Sequence, residues 1–324
     1  MKYLFNLVKH REKLGWFEEN WEEVVSFLHQ HHLNGIEIMF HQTYDIKGVP
    51  EYITQGMHLM YWPTWIDFWK GNEEQLLSQF MSHENIEIYY GSLQGKFLVD
   101  HYQKEFKIAQ DLNVDYMVFH VSHVQLEHIY RWDFTYTDEE IMDCAAELIN
   151  ETFGDKDKGV TLLFENLWWP GLNFKNPQLT EDFLNKIKYP NKGFMLDIGH
   201  LMITNPQLHH LEDACSYIMD VLRKHNTILD SIQGIHLNQS LTGKYLRMSH
   251  AEKAQGMKYK DLWDNLSDAR KHISNIDTHI PFCSKGIKEI INRIEPKYIV
   301  YEFLPNSLEE LGMMITQQNI ILDR

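Results

Sequence analysis

The sequence predicts a single closed (β/α)8 barrel over residues 1–324, and three observations carry that reading. Eight short runs rich in β-branched and aromatic residues recur along the chain, and amphipathic helical stretches separate them. The runs are also nearly continuous in apolar character, as strands covered on both faces are. Eight such units suit a closed barrel better than an open sheet, which usually has fewer strands.

The first run is Tyr3–Val8, followed by a helical pattern at Trp16–His32. There Trp21, Val24, Val25 and Leu28 share one face and Glu18, Glu19, Glu22 and Glu23 lie mostly outside it. Gly35–Phe40 is the second run and Gly56–Tyr61 the third, with helical segments at Glu73–His83 and Lys96–Leu112 behind it. Tyr116–Val121 leads through the long loop Ser122–Tyr136 into a helix at Asp138–Phe153. Val160–Asn166 and Gly193–Asp197 precede helices at Leu179–Ile187 and Leu208–His225. Ile232–Leu237 opens a second long loop, Asn238–Ile280, before a helix at Ser284–Ile294; Tyr298–Phe303 and Ser307–Ile321 close the series. No Pro/Gly/Ser-rich linker or internal repeat divides the chain, so one domain is expected. Both long loops fall on the face where barrels carry their active sites.

Composition narrows the function. With 46 acidic against 30 basic residues the net charge is −16, which opposes a sequence-independent grip on nucleic-acid phosphates. A hydrophobic fraction of 44%, with 17 Phe, 16 Tyr and 9 Trp, supports a large core. No apolar run reaches the roughly 18 residues of a membrane span, and MKYLFNLVKHREKLGW is broken by charge too early for a signal peptide. A cytoplasmic protein with a small-molecule substrate is expected, and self-association is left open. Cys144, Cys215 and Cys283 form no CxxC pair and are expected to be buried apolar thiols.

The runs end in chemistry. His58 closes the third, His120 the fourth, Glu165 the fifth, Asp197 and His200 the sixth (FMLDIGH), His236 the seventh and Glu302 the eighth. In a barrel the C-terminal strand ends converge on one mouth, so these side chains should meet there. Asp277 and His279, in the DTH of the second long loop, can fold over the same mouth. Four clustered carboxylates repel one another unless cations neutralise them, and a mixed set with five imidazoles favours zinc, manganese or iron over calcium or magnesium. His29, His31, His32, His209 and His210 have no convergent geometry and are expected on the solvated surface.

This pattern resembles the xylose-isomerase-like TIM-barrel superfamily, over nearly the whole chain. The superfamily includes sugar and sugar-phosphate isomerases and epimerases, inosose dehydratases and phosphodiesterases of the endonuclease IV type (AP endonuclease family 2). Its shared metal-binding Glu, Asp, His and Glu correspond to Glu165, Asp197, His236 and Glu302, with His200 added by the Asp-x-x-His spacing. Single-metal epimerases of the superfamily use the two glutamates for proton transfer. The endonuclease IV pattern adds two strand-end histidines and an Asp-x-His, matched here by His58, His120, Asp277 and His279. The resemblance implies three ion sites: His58, His120 and Glu165; Glu165, Asp197, His236 and Glu302; and His200, Asp277 and His279. It further implies Glu165, Glu302 and His200 as catalytic residues. One to three divalent ions, zinc or manganese first, would suit phosphoester cleavage or, with one ion, isomerisation.

The chain departs from the endonuclease pattern in two blocks: HVSH replaces a His-Pro-Gly turn, and DTHIPFCSKG spaces its glycine differently. Trp65 in MYWPTWIDFW and Trp168 in NLWWPG are candidates for stacking a small flat substrate, which together with the acidic balance disfavours duplex DNA. Lys244 and Arg247, in LTGKYLR, are candidates for gripping an anionic group.

Overall fold

The computed structural model describes residues 1–9, 15–17, 20–40 and 44–324. Eight parallel strands pair in sequence order and close into a barrel. They are β1 (Lys2–Lys9), β2 (Gly35–Phe40), β3 (Thr54–His58), β4 (Tyr116–His120), β5 (Thr161–Glu165), β6 (Lys192–Asp197), β7 (Ile232–Leu237) and β8 (Tyr298–Tyr301). Strand β1 pairs with both β2 and β8, which removes every sheet edge. The eighth strand is shorter than its apolar run. Pairing stops at Tyr301, so Glu302 lies one residue past β8, and the amide of Leu304 bonds the carbonyl of His279.

Alternation along each strand sorts the lumen into two tiers. Leu4, Tyr116, Val118, Leu163, Met195 and Val300 form a buried apolar plug. Two residues further along four of these strands stand His120, Glu165, Asp197 and Glu302, so the polar tier rests on the apolar one. Below His58 and His236 the lower tier has glycines. A Cβ on Gly56 would run into the Tyr116 ring, and one on Gly234 into the Met195 sulfur.

Several connections differ from their sequence pattern. The helix expected at Trp16–His32 is described at Trp21–Gln30, capped by Asn20, while Glu18 and Glu19 lie outside the described residues. Glu73–His83 is two helices, Glu73–Phe80 and His83–Tyr90. Met81 turns left-handed at φ 69°, and the Ser82 side chain caps the second. The loop after β7 contains three helices, Gly243–Leu246, Ala251–Gly256 and Leu262–Ile273. It meets the loop after β4 in a separate apolar cluster of Val124, Ile129, Leu167, Trp168, Trp169, Ile203, Ala269 and Ile276. This cluster builds a cap beside the barrel mouth.

Two minor expectations are corrected. His31 is buried, with its ring 4.3 Å from that of Phe27, because it closes a helix that packs on the barrel. Of the three free cysteines only Cys144 is buried; Cys283 is exposed. Among the described residues no helix is long and apolar enough to cross a membrane.

Candidate metal centre

The upper tier brings all nine candidate ligands together. Glu165 is fully buried at the end of β5, and both its oxygens face imidazoles. Oε2 lies 3.0 Å from His58 Nε2 and 2.9 Å from His120 Nε2. Oε1 lies 3.1 Å from His236 Nδ1 and 3.4 Å from His200 Nδ1. His236 Nδ1 is also 3.1 Å from Glu302 Oε2 and 4.0 Å from Asp197 Oδ2. To one side, Asp277 Oδ2 receives His200 Nε2 at 3.2 Å and His279 Nε2 at 2.6 Å.

Three groups follow from this geometry, and within each the potential ligand atoms lie within 4.8 Å of one another: His58, His120 and Glu165; Glu165, Asp197, His236 and Glu302; and His200, Asp277 and His279. These are the groupings the resemblance implied. A fourth group, Glu37, His58 and His236, contains a residue that the strand-end reading missed. Glu37 lies in mid-strand on β2, fully buried, and its carboxylate accepts from the Tyr116 hydroxyl at 2.9 Å.

The surrounding backbone selects a tautomer for several rings. A carbonyl oxygen can only accept, so His58 Nδ1 donates to Leu59 O at 3.0 Å, His200 Nδ1 to Asn166 O at 2.8 Å and His279 Nδ1 to Glu302 O at 2.9 Å. In each case Nε2 is left as the nitrogen that faces a carboxylate. Carboxylates are fixed in the same way: Asn238 Nδ2 donates to Asp197 Oδ2 at 2.8 Å, and Ser240 donates to Asp277 Oδ1 at 3.0 Å. Supporting bonds of this type orient metal ligands.

Electrostatics of the tier are extreme. Burial pulls His58 down, but its hydrogen bond to Glu165 and that carboxylate's charge outweigh it and lift the ring to about 9. Burial is likewise overcome at His279, which Asp277 raises to about 10. Against the upward push of burial, the imidazoles hold Glu165 well below the usual carboxylate range. Asp197 goes the other way, pushed up to about 7 by burial, with the charges of Glu302 and Glu165 adding to it and those of His200 and His279 opposing. Carboxylates packed this closely call for positive charge between them.

The donor set fits divalent cations. Four carboxylates and imidazoles with preset lone pairs converge, and two ligand-type atoms, His120 Nδ1 and Glu302 Oε2, are buried without a hydrogen bond. The second of these lies 3.1 Å from His236 Nδ1 but off the line of a hydrogen bond. Both atoms show polar capacity that the protein's own groups leave unused.

The four substrate candidates divide. Trp168 stands at the site, its ring edge-on to His200 at 5.1 Å and its buried indole N–H without a partner. Trp65 is a rim-packing residue rather than a free stacking surface: it is buried and donates to Ser122 O at 2.8 Å. Lys244 is exposed, and the exposed Arg247 turns its guanidinium to the carbonyl of Pro206. Neither makes a hydrogen bond or ion pair with the nine residues, because the helix Gly243–Leu246 folds back toward Pro206. A cavity of about 430 Å³ lined by Tyr130, Lys253, Lys260, Lys271 and His272 lies elsewhere and holds none of the nine.

Fold and site together define the class: a TIM barrel whose mouth carries clustered histidines and carboxylates as candidate metal ligands. A family profile described as xylose isomerase-like TIM barrel matches residues 72–293, and the chain belongs to that family. Similar solved structures include endonuclease IV from Thermus thermophilus, at 14% identity and TM-score 0.53, covering 100% of this chain and 99% of that one. A D-tagatose 3-epimerase-like protein matches at 15% identity and TM-score 0.54, covering 100% and 97%. A putative xylose isomerase from Rhodospirillum rubrum matches at 11% identity and TM-score 0.55, covering 99% of each chain. These likenesses show a shared fold. No curated protein matches the sequence.

Proposed function

We propose that this protein is a divalent-metal-dependent hydrolase of small phosphoesters, with three ions held by the nine residues. The observation that carries the reading is Glu165. One buried carboxylate presents one oxygen to His58 and His120 and the other to His236, as a residue shared between two cations would. Ions bound there would supply Lewis-acid charge to a phosphoryl group and lower the pKa of water.

The chain's own residues do the rest. Glu302 and His120 have the most exposed side chains of the nine, at 16% and 13%, and therefore face the incoming substrate and water. His200, between Glu165, Asp277 and Trp168, would hold the third ion with Asp277 and His279. The cap formed by the two long loops stands beside these residues, and its Trp168 ring packs edge-on against His200. That cap and the net charge of −16 support a small substrate over a duplex.

A second reading is a sugar or sugar-phosphate isomerase or epimerase with a single ion. It is favoured by the four-residue group Glu165, Asp197, His236 and Glu302, in which both glutamates lie 3.1 Å from the same ring nitrogen. Metal counting by plasma emission on protein purified without chelator separates the two. About three ions per chain with turnover of bis(4-nitrophenyl) phosphate is the expected result. About one ion without phosphodiesterase activity would replace the first reading by the second, and comparable cleavage of duplex DNA would overturn the small-substrate part.

A further inference from the structure

Among the nine candidate ligands, His236 alone has its second ring nitrogen on a carboxylate that belongs to none of the three ion groups. Its Nδ1 faces Glu165 and Glu302, while Nε2 lies 3.1 Å from Glu37 Oε1 and 3.2 Å from Glu37 Oε2. Both residues are fully buried. Glu37 is itself tied down, since the Tyr116 hydroxyl donates to its Oε2 and Asn6 Nδ2 approaches Oε1 at 3.4 Å. The Tyr116 ring reaches across the lumen to make this bond because Gly56 has no side chain to block it.

We propose that Glu37 is a positioning residue for the metal centre: it accepts the Nε2–H of His236 and thereby holds the Nδ1 lone pair toward the ion shared with Glu165, Asp197 and Glu302. The inference rests on the metal-centre reading above. The rival use of the same atoms, in which Glu37, His58 and His236 hold an ion of their own, leaves His236 Nδ1 to donate to Glu165 instead. It would need His236 Nε2 as a ligand and so remove the proton that Glu37 accepts. It would also need a His58 nitrogen, when Nδ1 is committed to Leu59 O and Nε2 faces Glu165. A buried carboxylate that accepts from the far nitrogen of a ligating imidazole fixes the tautomer and raises ligand basicity, and losing such a partner costs about 10–100-fold in metal affinity.

The test uses the full chain loaded with zinc. Nitrogen NMR of a 15N-histidine sample should show His236 protonated at Nε2; protonation at Nδ1 overturns the proposal. Competition with a chromophoric chelator should show Glu37→Met, which fills the volume without an acceptor, weakening one ion about 10–100-fold. Glu37→Gln, which keeps an acceptor oxygen, should lose less than Glu37→Met. Equal zinc affinity in wild type and Glu37→Met overturns the proposal, as does a fourth ion lost in both variants. The NMR measurement decides alone if Glu37→Met fails to fold. A wild type that binds no zinc would instead remove the hydrolase reading, so the two failures are distinguishable.

Discussion

At the scale of single residues the centre depends most on Glu165, because its neighbours use both of its oxygens. Glu165→Gln replaces a two-oxygen anion by one neutral acceptor shared among four imidazoles. It is expected to lose about two ions and to lower turnover by orders of magnitude. Asp277→Asn affects, among the nine, only the contacts to His200 and His279 and should lose about one. Equal metal content in the two variants, measured by plasma emission, would contradict the shared-carboxylate geometry. Seven of the nine residues are legible in the sequence because each ends an apolar run or follows one closely, where a charged group stands out, and Asp277 and His279 are legible only as the Asp-x-His of a loop that can fold over the mouth. Glu37 stands in the middle of GIEIMF, where a search of strand ends does not reach. The usable signal there is a lone carboxylate inside a strand buried on both faces, which needs a partner wherever it points.

At the scale of elements, the helix Phe97–Asp111 is coupled to the segment after β3 through Glu105. This buried carboxylate accepts from the backbone amide of Met60 at 3.2 Å on each oxygen and from the Tyr44 hydroxyl at 2.9 Å, with His101 Nε2 at 3.6 Å. Burial raises its pKa from 4.5 to about 7, against the lowering effects of the Tyr44 and Met60 bonds and the nearby His58 and Lys104 charges. A raised carboxylate contributes stability below its unfolded value, and that contribution is lost as pH climbs through the folded one. The stability of wild type relative to Glu105→Gln should therefore fall between about pH 4.5 and 7. His101, held down to about 4 by burial and by Lys104, has the opposite pH dependence but is present in both proteins. Denaturant titrations across that window check this, and a constant difference would show that Glu105 is ionised throughout. Strand positions are legible because apolar runs of fixed length leave little freedom, whereas the breaks are not. No Gly or Asn marks the left-handed turn at Met81, and the helix Leu262–Ile273 falls in a stretch whose pattern reads as loop although Asp261 caps it.

At the scale of the whole molecule, the barrel class follows from counting runs, while the cap does not. Its apolar residues come from segments far apart in sequence, Val124 and Ile129 on one loop and Ala269 and Ile276 on another, and only closure of the barrel brings them together. The same closure stacks buried carboxylates on the apolar plug in the interior, and on the proposed metal-centre reading stability then depends on cations. A ligand that binds only the folded chain adds about 2.7 kcal/mol when held at 100 times its Kd, and several ions add to one another. For a chain of about 150–250 residues each kcal/mol moves Tm by about 2–4 °C, and somewhat less for a longer one. Removing the ions with a chelator should therefore lower Tm by at least several degrees, and returning zinc or manganese should restore it. Glu165→Gln should show a smaller chelator effect, since fewer ions remain to be removed. Differential scanning fluorimetry with and without chelator measures both. If the chelated and metal-loaded wild-type samples melt together, the buried carboxylates are neutralised by the imidazolium rings of His58, His200, His236 and His279 alone, and the nine residues form an ion-pair network instead of a metal centre.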